Sequence, residues 1–161
     1  MADVKISDLT ASTSLDDTDY LETSKAGTPR LSRRISASLI PTVVKDIACG
    51  DETTALTTGN KVTFRWKGRP INNGLKISAS LTTAQASGAT LVTVEVTKNG
   101  TTFFSTKPTF DNTEKTTETA ATPPVLSTTT IAYDDEIVVS VNAIQAGTAA
   151  AGLKVYIEGR P

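Results

Sequence analysis

LVTVEVTKNGTTFFST, residues 91–106, carries the strongest local signal for a β-hairpin in this chain. Apolar and polar residues alternate in its first half, so one face of the predicted strand receives Val92, Val94 and Val96. Asn99-Gly100 follows, and this dipeptide tolerates the positive φ that a two-residue hairpin turn requires. The sequence therefore predicts two antiparallel strands joined by a tight turn.

The same alternation continues on both sides of this hairpin. Further strands are predicted at residues 61–66, 75–81, 136–144 and 153–157. Together with the turns between them they make about seven or eight strands over residues 45–161. No segment shows a long amphipathic helical period. The predicted fold class is all-β, with an antiparallel β-sandwich or jelly roll in this domain.

Residues 1–44 form a separate N-terminal segment, in which no stretch is apolar enough to build a core. Residues 20–24 and 30–36 flank the turn signal Ala26-Gly27-Thr28-Pro29 and predict a small hairpin. A two-stranded hairpin is only marginally stable in water. We therefore expect this segment to be held by its own β domain, by a sister chain or by a larger partner.

Composition excludes several classes of function. The chain has no histidine, which removes the most frequent general base and metal ligand, and Cys49 is its single cysteine. The net charge of −1 and the 5% aromatic content do not favour nucleic-acid binding. No apolar run approaches the length of a membrane span. We expect no enzymatic activity, no cofactor, no nucleic-acid partner and no membrane insertion.

Two groups of carboxylates could in principle hold calcium, because hard cations favour clustered carboxylate oxygens. One is Asp134-Asp135-Glu136, and the other comprises Asp16, Asp17 and Asp19. Neither has the spacing of a known calcium loop, and aspartate is a frequent turn residue. Turn chemistry is therefore the favoured interpretation, and no metal site is predicted.

Three aromatic residues are candidates for an interface or a glycan contact. Trp66 can stack on a sugar, although its phase with Val62 and Phe64 favours a core position. Phe103 and Phe104 are neighbours in a strand and are predicted to point to opposite faces, one into the core and the other toward an interface or into the second layer.

The N-terminal segment also carries opposite charges. Arg30, Arg33 and Arg34 form a basic cluster, and residues 16–22 form an acidic one. One interpretation is that charged faces set the register on a docking partner. The other is a hairpin that is held by its own salt bridges in solution.

A resemblance to a known group of proteins rests on KISDL (5–9), LDDTDYLE (15–22), SRRIS (32–36) and Leu39. These stretches resemble the opening of many fibre, tailspike and appendage proteins of tailed bacteriophages, where this region commonly attaches the protein to the virion. The stretches DETTAL (51–56), LTTAQ (81–85), DNTEK (111–115) and GLKV (152–155) resemble β-rich modules of phage tails or capsids.

The resemblance implies a structural protein of the virion that is made in the host cytoplasm and is often homotrimeric. Its expected partners are other virion proteins of the tail, collar or capsid, and host-surface glycan is a further candidate. The residues expected to dock on the virion are Ile6, Leu9, Tyr20, Leu21, Arg30, Arg33, Arg34 and Ile35.

Three functions remain open from the sequence. The chain has no extended shaft and no heptads, so a short tail fibre, appendage or adaptor fits its length better than a long fibre. A capsid decoration or head-fibre protein is the alternative within the virion. A free carbohydrate-binding module is the alternative of another class.

Overall fold

A computed structural model describes residues 20–23, 33–36, 42–144 and 149–161. All regular elements in these residues are β-strands, and every pairing between them is antiparallel. The all-β, antiparallel class predicted from the sequence is therefore confirmed. The chain divides into two compact units, residues 1–41 and residues 42–161.

The first unit contains a two-stranded sheet. Strand β1 (Tyr20–Thr23) pairs with β2 (Arg33–Ser36), which confirms the small hairpin predicted from the sequence. In the register of this pair, Leu21 lies opposite Ile35 and Glu22 lies opposite Arg34. Each strand has four residues, so the described pairing in this unit is short.

Ten strands are described in the second unit. They are β3 (Val43–Ala48), β4 (Gly59–Arg65), β5 (Asn73–Ser80), β6 (Val92–Lys98), β7 (Thr101–Thr102), β8 (Phe104–Thr106), β9 (Thr109–Phe110), β10 (Val125–Leu126), β11 (Glu136–Ala143) and β12 (Lys154–Arg160). Strand β12 lies between β3 and β5 in a three-stranded sheet. Strand β11 lies between β4 and β6 in a larger sheet, where β7 and β9 pair with the other edge of β6.

Strand β3 begins the second unit. The sequence placed the domain boundary between Val44 and Lys45, but β3 already pairs at Val43 and Val44, which lie opposite Gly159 and Glu158 of β12. The division between units falls after Pro41 instead. Strand β3 is an edge strand of the three-stranded sheet.

The two sheets enclose one apolar core. The three-stranded sheet contributes alternate residues such as Ile77 and Ile157, and the larger sheet contributes Val94 and Val139. These four side chains are 3% exposed or less, as expected when strands of period two bury one face. The arrangement is a β-sandwich, and the pairing does not confirm the jelly-roll alternative.

The turn between β6 and β7 adopts the predicted geometry. Asn99 has a φ of 49° and Gly100 a φ of 81°, the positive values that a tight hairpin turn needs at both central positions. Asn99 also contacts the first residue of β11, because its side-chain oxygen accepts a hydrogen bond from the Glu136 amide at 2.8 Å.

The returning strand of this hairpin is broken at Phe103. Strand β7 stays on β6, whereas β8 leaves it and pairs with β10, and β9 returns to β6. The Phe103 amide donates to the Val96 carbonyl at 3.0 Å, and the Phe103 carbonyl accepts from Ser127 at 2.7 Å. Phe103 and Phe104 are both buried, which fits the second layer and not an interface for the second ring.

Candidate binding groove

The residues predicted to dock on a virion lie only partly within the described structure. Ile6, Leu9 and Arg30 are outside the described residues. The other five are on the hairpin of the first unit; Tyr20 and Leu21 are on β1, and Arg33, Arg34 and Ile35 are on β2. The strand pairing therefore brings these five backbone positions together in one small sheet.

The aromatic residues considered for glycan contact are in the core. Trp66 is 3% exposed, Phe103 is fully buried and Phe104 is 4% exposed. The Trp66 indole donates a hydrogen bond to the Arg69 carbonyl at 2.8 Å, so its polar group is also satisfied internally. This burial does not fit a role as exposed sugar-stacking platforms, although Phe104 and Trp66 each line a groove.

The acidic stretch Asp134-Asp135-Glu136 forms a turn, as the favoured interpretation expected. Asp135 accepts hydrogen bonds from the Ala132 amide and the Asn99 side chain, both at 2.7 Å. Asp134 is paired with Lys67, and the hydrogen bond from Lys67 lowers the pKa of this carboxyl. Within the described ranges, no three histidine, cysteine or carboxylate groups are arranged to hold a metal ion.

Cys49 lies in the core beneath β12. Its thiol donates to the Ile47 carbonyl at 3.4 Å, and burial raises the pKa of the thiol to about 11. The thiol is therefore protonated at neutral pH, which suits a small buried apolar residue better than a nucleophile.

An apolar groove of about 640 Å³ runs beside β5. Leu75 and Ile77 of β5 line one wall, and Phe104, Val125 and Leu126 line the other. Val125 is 51% exposed, which is unusual for a large apolar side chain on this domain. The volume lies within the range of about 300–1,000 Å³ that is typical of binding sites.

One ion pair lines the groove. Lys76 contacts Glu118, and its Nζ lies 3.6 Å from a carboxylate oxygen of Glu158. The hydrogen bond from Lys76 to Glu118 raises the pKa of the lysine. Lys76 is thus paired with two carboxylates. Lys76 and Glu118 are part of the groove lining, and most of the remaining lining residues are apolar.

The edge of β5 is closed at one end and open at the other. Near its C-terminal end, the Ala79 carbonyl accepts from the Thr117 amide at 3.1 Å, and the Leu81 amide donates to the Lys115 carbonyl at 2.9 Å. Toward the N-terminal end, in the part of the chain that the structure describes, no strand pairs with this edge at Leu75 and Ile77.

A second groove, of about 490 Å³, lies between the free edges of β3 and β4. Lys45 crosses it, with its Nζ 5.7 Å from the centre of the Phe64 ring. Exposed Val44 lies on its rim. Because a lysine spans this second groove, the groove beside β5 is the better candidate for an apolar ligand.

Sequence reasoning did not find the groove beside β5. Pro123-Pro124 was used only to exclude a central strand, although it precedes the exposed Val125 on the groove wall. An apolar residue directly after a proline pair, in a segment too short to bury it, is the sequence signal that points to this wall.

No family model, curated protein or solved structure matches this chain. Within the described residues, no helix is both long enough and apolar enough to cross a membrane.

Proposed function

We propose that this chain is a structural component of a tailed-bacteriophage virion, namely a short tail fibre, appendage or adaptor. Residues 1–41 dock on other virion proteins, and the β-sandwich projects outward as part of a homotrimer. The observation that carries the proposal is the division of the chain into a small unit, with one described hairpin, and a larger unit with its own core.

The small unit supports a docking role through the short hairpin that is described in it. Its described strands form one two-stranded sheet of four residue pairs. Such a sheet is marginal in water unless another surface covers it. The resemblance of residues 5–9, 15–22 and 32–36 to phage attachment segments indicates that this surface belongs to the virion.

The large unit supports the role of a projecting head because it encloses an apolar core. Among the residues whose burial the structure describes, the apolar cluster lies between Val43 and Ile157. Residues 42–161 therefore contain the burial that stabilises a sandwich, which lets the domain fold while its N-terminal segment binds elsewhere. The proposal assigns no glycan site, because Trp66, Phe103 and Phe104 are buried.

Deleting residues 1–41 tests the proposal. We expect the truncated protein to keep its β-rich circular dichroism spectrum and to be missing from purified particles, as measured by immunoblot against the full chain. The full-length variant Tyr133→Ala, which alters an exposed side chain of the head, should enter particles normally. Equal incorporation of the truncated and full-length proteins would contradict the proposal.

The capsid decoration alternative differs from a tail protein in number of copies. Tail components follow the symmetry of the tail, whereas decoration proteins follow the symmetry of the shell. Counting copies per particle by quantitative mass spectrometry separates the two locations, and a few copies per particle is the expected result for a tail fibre.

A further inference from the structure

We propose that the groove beside β5 binds an extended peptide segment of a partner protein, which adds to the sheet as a new strand. The inference depends on the groove alone and holds whether or not the chain is part of a virion. The inference is argued from three features of the groove. They are the unpaired edge of β5, the apolar second wall at β10 and the pairing of Lys76 with neighbouring carboxylates.

The backbone of β5 identifies an extended chain as the occupant. In an antiparallel strand, the N–H and C=O groups of one residue point to one side of the strand. Those of the next residue point to the opposite side. Ala79 bonds outward to Thr117, so Ile77, which is two residues before it, also directs its N–H and C=O groups away from β12. The register of the pairing shifts opposite Gly74 and Leu75, so the alternation is established from Lys76 onward.

These outward groups lack a partner at an almost buried position. Within the described residues, Ile77 has no backbone partner on this side, and it is only 3% exposed. Buried backbone groups are nearly always paired. Another peptide backbone supplies donors and acceptors at the spacing of a β-ladder, so strand addition satisfies them.

The second wall excludes a partner strand that already belongs to a sheet. A strand entering the groove has β5 on one side and the residues around Val125 on the other. The edge strand of a folded sheet would bring its neighbouring strand into this wall. For this reason β3 of a second copy does not fit, and the occupant is a linear segment with both edges free.

The lining determines the chemistry of that segment. Side chains that face the interior meet Phe104 and Leu126, which favours small apolar residues at alternate positions. Lys76 is already paired with Glu118 and Glu158, so the segment needs no charge of its own at this point. The open edge from Leu75 to Ile77 spans about 10 Å, which is matched by the central residues of a segment of about five.

The test uses a library of random nine-residue peptides displayed on yeast and selected against the full chain. We expect enriched peptides to carry apolar residues at every second position and to lack charge in the centre. In hydrogen exchange followed by NMR, the Ile77 amide should exchange rapidly in the free protein and slow by about tenfold or more with a synthetic enriched peptide.

Two matched variants locate the binding. Val125→Glu places a charge on the groove wall, and Val44→Glu places the same charge at the exposed edge of β3; both side chains are more than half exposed, so both variants should fold. We expect Val125→Glu to weaken binding about tenfold or more and Val44→Glu less than about twofold. A protected Ile77 amide in the free protein, no enriched peptides, or equal effects of the two variants would overturn the proposal.

Discussion

The strands described in the two units of this chain all pair antiparallel, yet the described residues of the two units differ in what can stabilise them. The described part of the first unit is a hairpin of four residue pairs, whereas the second unit buries an apolar cluster between two sheets. Hydrophobic burial is the main favourable term in folding, and a short hairpin offers little of it. The described pairing is of the same kind in both units, but only the second unit shows an enclosed apolar core in the described residues, which is why we propose that the first unit is held by a partner.

The largest expected effect comes from the core of the second unit. Phe110 is fully buried on β9, so Phe110→Ala should lower the free energy of unfolding by about 3–5 kcal/mol. Urea denaturation measures the change. The matched control Tyr133→Ala removes an aromatic ring that is 61% exposed, and its effect should stay within about 0.5 kcal/mol. A similar loss of unfolding free energy in both variants would mean that burial of the ring does not determine its contribution to the stability of the second unit.

Gly152 provides a smaller test of how tightly the second unit is packed. It has a φ of +68°, and a Cβ at this position would lie against Thr82 and 2.8 Å from a carboxylate oxygen of Glu52. Gly152→Ala should cost about 2–3 kcal/mol, from strain in the left-handed conformation and from this overlap. Gly100→Ala is the control, since Gly100 has a φ of +81° and nothing within 4 Å. Its cost should be about 1 kcal/mol, and equal costs would show that the overlap is relieved without penalty.

Glu95 provides a test of how far the stability of the second unit depends on the partner of a buried carboxylate. Its carboxylate lies 2.6 Å from Lys107 Nζ and accepts from the Thr102 hydroxyl at 2.6 Å, and the residue is 7% exposed. Lys107→Ala should cost about 1–3 kcal/mol in thermal or urea denaturation, because the carboxylate stays buried with one partner fewer.

The control for this variant is Lys67→Ala, which breaks the exposed ion pair with Asp134. It should leave the unfolding midpoint unchanged within error, because water screens pairs at the surface. If Lys107→Ala also left the unfolding midpoint unchanged, the contact between Lys107 and Glu95 would not contribute to stability.

The smallest expected effect is a change in acid sensitivity. Asp51 accepts hydrogen bonds from the Thr53 hydroxyl at 2.6 Å and from the amides of Thr53 and Thr54 at 2.7 and 2.9 Å, which lowers the pKa of its carboxyl to about 2. A lowered pKa stabilises the folded state above the ordinary value of 3.8, and this contribution is lost as the pH falls toward 2. Asp51→Asn should therefore make unfolding less dependent on pH between about 4 and 2.

Urea midpoints measured at several pH values check this expectation. Asp46→Asn is the control, because Asp46 is an exposed carboxyl on edge strand β3. Its midpoint at neutral pH reports the effect of removing an exposed carboxylate outside the turn at Asp51. A pH dependence for Asp51→Asn that equals that of the unchanged protein would contradict the role given to the turn at Asp51.

The fold class could be predicted because local patterns coincide with tertiary burial. The alternating valines of residues 92–96 lie in the core, and the Asn99-Gly100 turn has the backbone that its residue types favour. The hairpin of the first unit was predicted from the same signals. In these places the local preference and the buried face agree, so one sequence was enough.

The prediction failed where the chain leaves a regular strand. Phe103 and Phe104 are both buried because the strand breaks between them, and period-two reasoning assumes an unbroken strand. The groove beside β5 was not found, since it depends on which strand edges remain unpaired. Edge pairing is set by contacts between distant segments, such as Ala79 with Thr117, which local patterns do not contain.

Amide hydrogen exchange of the full chain as a dilute monomer tests the central claim most directly. The account predicts that amides of β1 and β2 exchange close to the rate of an unfolded peptide, while amides of β11, in the middle of its sheet, are protected for hours. Protection of β1 and β2 to the same extent as β11, with no other protein present, would contradict the claim that the N-terminal hairpin needs a partner.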